Sequence, residues 1–127
     1  MLAQVIQLDN NEALAERIEA FISRFGRLQD TLGDKLLPSL LFFVGEHPST
    51  MIDNLDRAER LGWIKSSDTW LEIRKLRNQM IHEYIEDPKV LTDALNGGHC
   101  HVTELLYAAT QMLLEIDKRI NSSEASK

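Results

Sequence analysis

The sequence predicts an all-α, up-and-down bundle of four to five helices. Three observations predict it. Apolar residues recur at intervals of three and four through most of the chain, the period of a helix with one face on a core. No segment alternates apolar and polar residues as a half-buried strand does. Helix breakers and caps cluster at the edges of the periodic stretches, as in Gly45 to Thr50, Gly62 and Asp87-Pro88.

The chain reads as one domain over 127 residues, with a short N-terminal arm and a disordered tail from about residue 121. Hydrophobic residues make up 43% and charged residues 27%, an ordinary globular balance. The net charge of −6 argues against a protein that coats nucleic acid through bulk charge, but it leaves room for a local basic site. Arg74, Lys75 and Arg77 form one such short cluster. Cys100 is the single cysteine, so no intrachain disulfide forms and a reducing, cytoplasmic setting is expected. The first residues lack the basic start and long apolar run of a secretory signal. No apolar run approaches the roughly 20 residues of a membrane span, so no membrane association is expected. The longest, Leu36 to Val44, contains Pro38 and Ser39.

Met1 to Leu8 is mildly apolar, either an arm that packs on a neighbour or a frayed end. Asp9, Asn10 or Asn11 can cap a first helix, in which Leu14, Ile18, Phe21, Ile22, Phe25, Leu28 and Leu32 form a core stripe. After Gly33 two readings compete. The helix kinks and runs on to about Gly45, or it stops and a second begins at Pro38. The kinked helix is preferred, because bundle packing can offset the roughly 3 kcal/mol that a proline costs a helix. The stretch Leu36 to Val44 is apolar on all sides, which suggests burial on all sides and a subunit interface. His47 lies in a turn and is expected at the surface. Ser49 or Thr50 caps a short helix that Gly62 ends. Ser67 or Asp68 caps the next, and Asp87-Pro88 opens another that meets Asn96-Gly97-Gly98. Val102, Leu105, Leu106, Ala109, Met112, Leu113, Ile116 and Ile120 mark the last.

The helix over Trp70 to Asp87 carries the chemistry. Leu76, Met80, Ile73, Tyr84, Trp70, Ile81 and Ile85 follow one another around a broad apolar arc, with Lys75, Gln79, Glu72 and Glu83 opposite. Arg77 points into the middle of that arc, between Tyr84 and Trp70. Asn78 and His82, four residues apart, sit together on its edge. A guanidinium keeps its proton, and burying it unpaired costs several kcal/mol. Either Arg77 snorkels or pairs with a buried carboxylate, or it faces a cleft or subunit interface. A fixed cation, an imidazole and a phenol near one helix surface suit phosphate chemistry. His99-Cys100-His101 makes a poor metal site, because neighbours on a helix diverge by about 100°. No metal or cofactor is expected.

Arg77-Asn78-x-x-x-His82-x-Tyr84 resembles the signature of the HEPN superfamily, in the branch of the HepT-like toxins. Leu61-Gly62-Trp63-Ile64, Trp70 and Leu76 also resemble the run into that motif. Outside Leu61 to Asp87 the resemblance is one of pattern. It implies a HEPN-like bundle forming a two-fold dimer, and a metal-independent endoribonuclease acting on RNA at the dimer cleft. Arg77 and His82 would be catalytic, with Asn78, Tyr84, Arg74 and Lys75 supporting or binding RNA. It implies a MntA-like nucleotidyltransferase antitoxin that transfers AMP to Tyr84. The alternative is a non-catalytic, substrate-binding companion subunit of a nucleotidyltransferase.

Overall fold

The computed structural model describes residues 12–82 and 87–125, with side chains through residue 122. These residues are all helical apart from turns and short connections, and no strand occurs among them. The helices are α1 (Glu12–Asp30), α2 (Leu37–Phe43), α3 (Met51–Arg60), α4 (Ser67–His82), α5 (Pro88–Cys100) and α6 (Val102–Ala125). A π-helical turn, Thr31–Leu36, joins α1 to α2 without a break, and His101 alone separates α5 from α6. Among the described residues these make four helical rods, within the four to five that the periodicity predicts.

The first rod runs through Gly33 and Pro38 because its helix widens just before the proline. Leu37 N–H donates to Leu32 O, a five-residue step in place of four. Proline has no N–H to give, and in a regular helix its ring crowds the carbonyl one turn back. A locally wider turn is a common way for a helix to absorb such a misfit. The turn also seats α4. A Cβ on Gly33 would lie 2.8 Å from Trp70 Nε1, so the indole rests on bare backbone.

Local chemistry sets the ends of the other rods. Phe43 is followed by Gly45 at φ 90° and Arg60 by Gly62 at φ 81°, values that favour glycine. Glu46 N–H then returns to Leu41 O, and Trp63 N–H to Ala58 O, which closes both ends with the same six-to-one bond. Thr50 caps α3 by accepting from Asp53 N–H at 3.2 Å. Asp87 caps α5 by accepting from Lys89 and Val90, with Pro88 at the first position. Ser66, rather than Ser67 or Asp68, caps α4: its Oγ accepts from Thr69 N–H at 3.2 Å.

The core runs between the rods. Leu37, Leu41, Leu55, Ile73, Met80, Leu91, Leu105 and Met112 are essentially inaccessible. Each such side chain contributes about 1.5–3 kcal/mol of burial. The structure differs from expectation at three places. Phe42 and Phe43 stand 73% and 58% exposed, so the chain by itself does not bury the all-apolar stretch on every side. α2 offers its core only one face, carried by Leu37, Leu40 and Leu41. Gly97 and Gly98 do not end a helix but lie inside α5, where the absence of side chains admits Leu76 and Met80 of α4. α6 continues past Asn121 to Ala125, because a helix already nucleated and long adds further turns cheaply when no Gly or Pro intervenes. The N-terminal arm lies outside the described residues.

Candidate functional site

α4 is held on three sides before it presents anything to solvent. Trp70, Ile73, Leu76 and Met80, spaced three, three and four apart, are buried. Trp70 meets the π turn at Gly33, and Leu76 and Met80 meet α5 at Gly97 and Gly98. Gly26 of α1 lies against the Arg77 stem, where a Cβ would stand 3.5 Å from Cγ and 3.6 Å from Nε. That close approach fixes the guanidinium beside α1.

Arg77 is neither sealed in the core nor free. Its Nη2 donates to Asp30 Oδ2 at 2.8 Å, and its Nη1 to Asn78 Oδ1 at 3.1 Å. The Arg77 and Asp30 side chains are 30% and 35% exposed. Nε is buried and has no hydrogen-bond partner among the described residues. Arg74 makes a parallel pair with Asp34 at 2.6 Å. Two arginines three apart on α4 thus meet two aspartates four apart on the first rod, in reversed order, so the rods run antiparallel. The pairing reading of Arg77 holds, with a carboxylate that is itself about two-thirds covered. Exposed ion pairs of this kind contribute about 0.2–1 kcal/mol each.

Two grooves flank α4, and they divide the motif. The inner groove, about 330 Å³, lies between α1, the π turn and α4, and is lined by Ser23, Arg27, Asp30, Thr31, Lys35 and Arg77 among others. The outer groove, about 620 Å³ and open, is lined by Leu71, Arg74, Lys75, Asn78, Gln79 and His82. Arg74, Lys75, Asn78 and His82 therefore share one surface, as their spacing predicts. Arg77 and His82 do not: five residues on a helix leave them about 140° apart, one in each groove. Tyr84, the residue expected to carry AMP, lies outside the described residues.

Sequence reasoning missed Asp30, Asp34, Arg27, Lys35 and Gly26. The signal was present in part, since Ser23, Arg27, Thr31 and Lys35 recur every four residues on a strip that drifts toward the apolar stripe of the first rod. His99, Cys100 and His101 join no group of three metal-ligating side chains among the described residues. Among those residues, no helix is long and apolar enough to cross a membrane. Known protein families, curated proteins and solved structures provide no match to this chain.

Proposed function

We propose that the chain is a toxin-like endoribonuclease of the HEPN type, working as a two-fold dimer in the cytoplasm. The observation that carries the reading is the motif helix itself. α4 bears Arg77, Asn78 and His82 in one run, is packed closely from behind, and has a basic groove on each side. The separation of Arg77 from His82 in one copy favours a cleft to which two copies contribute.

In the reaction the RNA 2′-oxygen attacks the adjacent phosphorus. The bond to the 5′-oxygen breaks, leaving a 2′,3′-cyclic phosphate and a 5′-hydroxyl. Imidazole is the side chain suited to moving protons near neutral pH. One His82 takes the proton from the 2′-hydroxyl and the second copy's His82 gives one to the leaving oxygen. Arg77 stabilises the charge that builds on the phosphoryl oxygens. Asn78 holds the guanidinium, and Arg74 and Lys75 attract the RNA backbone. A nucleotidyltransferase antitoxin that adds AMP to Tyr84 would place bulk and negative charge beside these groups and block RNA.

A specific observation favours a second reading. Arg77 is already engaged by Asp30 and Asn78, as befits a ligand-holding companion subunit of a nucleotidyltransferase that cleaves nothing. Two experiments separate them. On expression, the nuclease reading expects growth arrest that His82→Ala relieves; harmless wild-type expression together with intact RNA after incubation with purified dimer would sink it. After co-expression with the neighbouring gene product, intact mass should rise by one or more AMP units, mapped to Tyr84 and absent from Tyr84→Phe. An unmodified protein in a stable complex supports the companion subunit.

A further inference from the structure

The inner groove carries charge that the motif does not account for. Ser23, Arg27, Thr31 and Lys35 line it at intervals of four along the first rod, adding two hydroxyls and two cations to Arg77. Asp30 is the one carboxylate among the lining residues, so three cations face one anion. A guanidinium grips an oxyanion best through two neighbouring N–H groups at once. Asp30 engages Arg77 through Nη2 alone, and Nε–H is left without a partner among the described residues. A buried donor left in that state is costly. Arg77 is thus bound to a carboxylate that satisfies it incompletely, in a groove with a surplus of positive charge.

We propose that this groove is a phosphate site, with Arg27 and Lys35 as ligands alongside Arg77, and that Asp30 occupies the ligand's place when it is empty. An arriving phosphate group displaces the Asp30 carboxylate from Nη2. It gives Nε–H an acceptor as well, and presents its other oxygens to Arg27 and Lys35. Ser23 and Thr31 hydroxyls offer further donors. The volume of about 330 Å³ is at the small end of ligand sites, which fits one phosphate-bearing unit rather than a duplex. This inference rests on reading Arg77 as an anion contact, and stands independently of whether any RNA is cut.

The test follows the Arg77 side-chain Nε–H resonance of ¹⁵N-labelled protein during titration with inorganic phosphate, against chloride at matched ionic strength. We expect a saturable shift with phosphate and none with chloride. Asp30→Asn, which removes the competitor, should tighten binding about tenfold, while Arg27→Gln and Lys35→Gln should each weaken it about threefold, the scale of single partly exposed charges. The Arg27 and Lys35 side chains are exposed, so these two variants keep the test open even if Asp30→Asn loses helicity by circular dichroism. A second titration uses a short RNA with 2′-O-methyl groups, which cannot be cut through the 2′-oxygen. If it shifts the resonance more strongly than inorganic phosphate, the natural source is a nucleic-acid backbone; the reverse order points to a small phosphate. Absence of a saturable shift in wild type and Asp30→Asn alike, or unchanged binding in both Arg27→Gln and Lys35→Gln, overturns the proposal. Phosphate binding without RNA cleavage would remove the nuclease reading and leave this site standing; cleavage with a silent Arg77 resonance would do the opposite.

Discussion

Gly98→Ala sets two well-characterised effects against each other, and the structure decides between them. In an ordinary helix interior the change should stabilise by about 1 kcal/mol, because alanine has the better helix propensity. Here the new methyl would fall onto Met80 Cε and lie 3.5 Å from Cε2 and Cζ of Phe25. Met80 is fully buried and Phe25 is 3% exposed, so neither can swing into solvent. Forcing an added carbon into a packed core costs about 1–3 kcal/mol. The net expectation is a loss of about 0–2 kcal/mol, or up to roughly 8 °C in Tm for a domain of this size. Urea denaturation followed by circular dichroism measures it. The added test is Gly98→Ala with Met80→Leu, which removes the terminal carbon of Met80. Met80→Leu alone should cost less than about 1.5 kcal/mol, and the pair together should cost clearly less than the sum of the singles. A Gly98→Ala protein more stable than wild type, or strictly additive losses, would refute the claim that this glycine exists to let α4 and α5 touch.

Other outcomes follow from named contacts. A double-mutant cycle with Asp30→Asn and Arg77→Gln should give a coupling of about 0.2–1 kcal/mol by urea unfolding, since both side chains are about a third exposed; a coupling several times larger would mean that the pair is buried more deeply in solution. Thr50→Ala removes the α3 cap and should cost about 1 kcal/mol, with Thr50→Ser nearly silent; equal losses from both would rule out the hydroxyl as the cause. Leu41→Ala opens a cavity at a fully buried position and should cost about 2–5 kcal/mol, whereas Phe42→Ala, one residue on and exposed, should change the unfolding free energy of the single chain by less than about 1 kcal/mol. A concentration-dependent midpoint that Phe42→Ala abolishes would instead assign that face to self-association.

What the sequence revealed and what it hid divide by distance along the chain. Thr50, Gly62 and Asp87-Pro88 act on backbone groups a few residues away, so their roles were visible in the string itself. The apolar stripes were equally plain, because helical period is a local property. The partners of Arg77 and Arg74 lie 47 and 40 residues away. Only the way the rods pack brings Asp30 and Asp34 to them. Gly97-Gly98 misled for a related reason: their local propensity says stop, and packing against Leu76 and Met80 overrides it. The order of Asn78 and His82 on one surface followed from spacing. The division of Arg77 and His82 between two grooves depended on where α1 lies against α4, which spacing along α4 does not reveal.

The π turn at Thr31–Leu36 has a consequence for length rather than for shape. A turn of this kind is equivalent to one extra residue carried within an α-helix. Deleting one residue between Thr31 and Leu36 would restore regular winding and leave everything beyond close to its present phase relative to α1, but it would set Pro38 in a regular helix, at a cost of about 3 kcal/mol. Leu37, Leu40 and Leu41 would still face the core, so the loss would fall on the proline and not on the packing. The connection from Val44 to Thr50 has no such winding to keep. The loss of a single residue should therefore be tolerated there and cost stability in the π turn, although the turn contains two exposed charged residues.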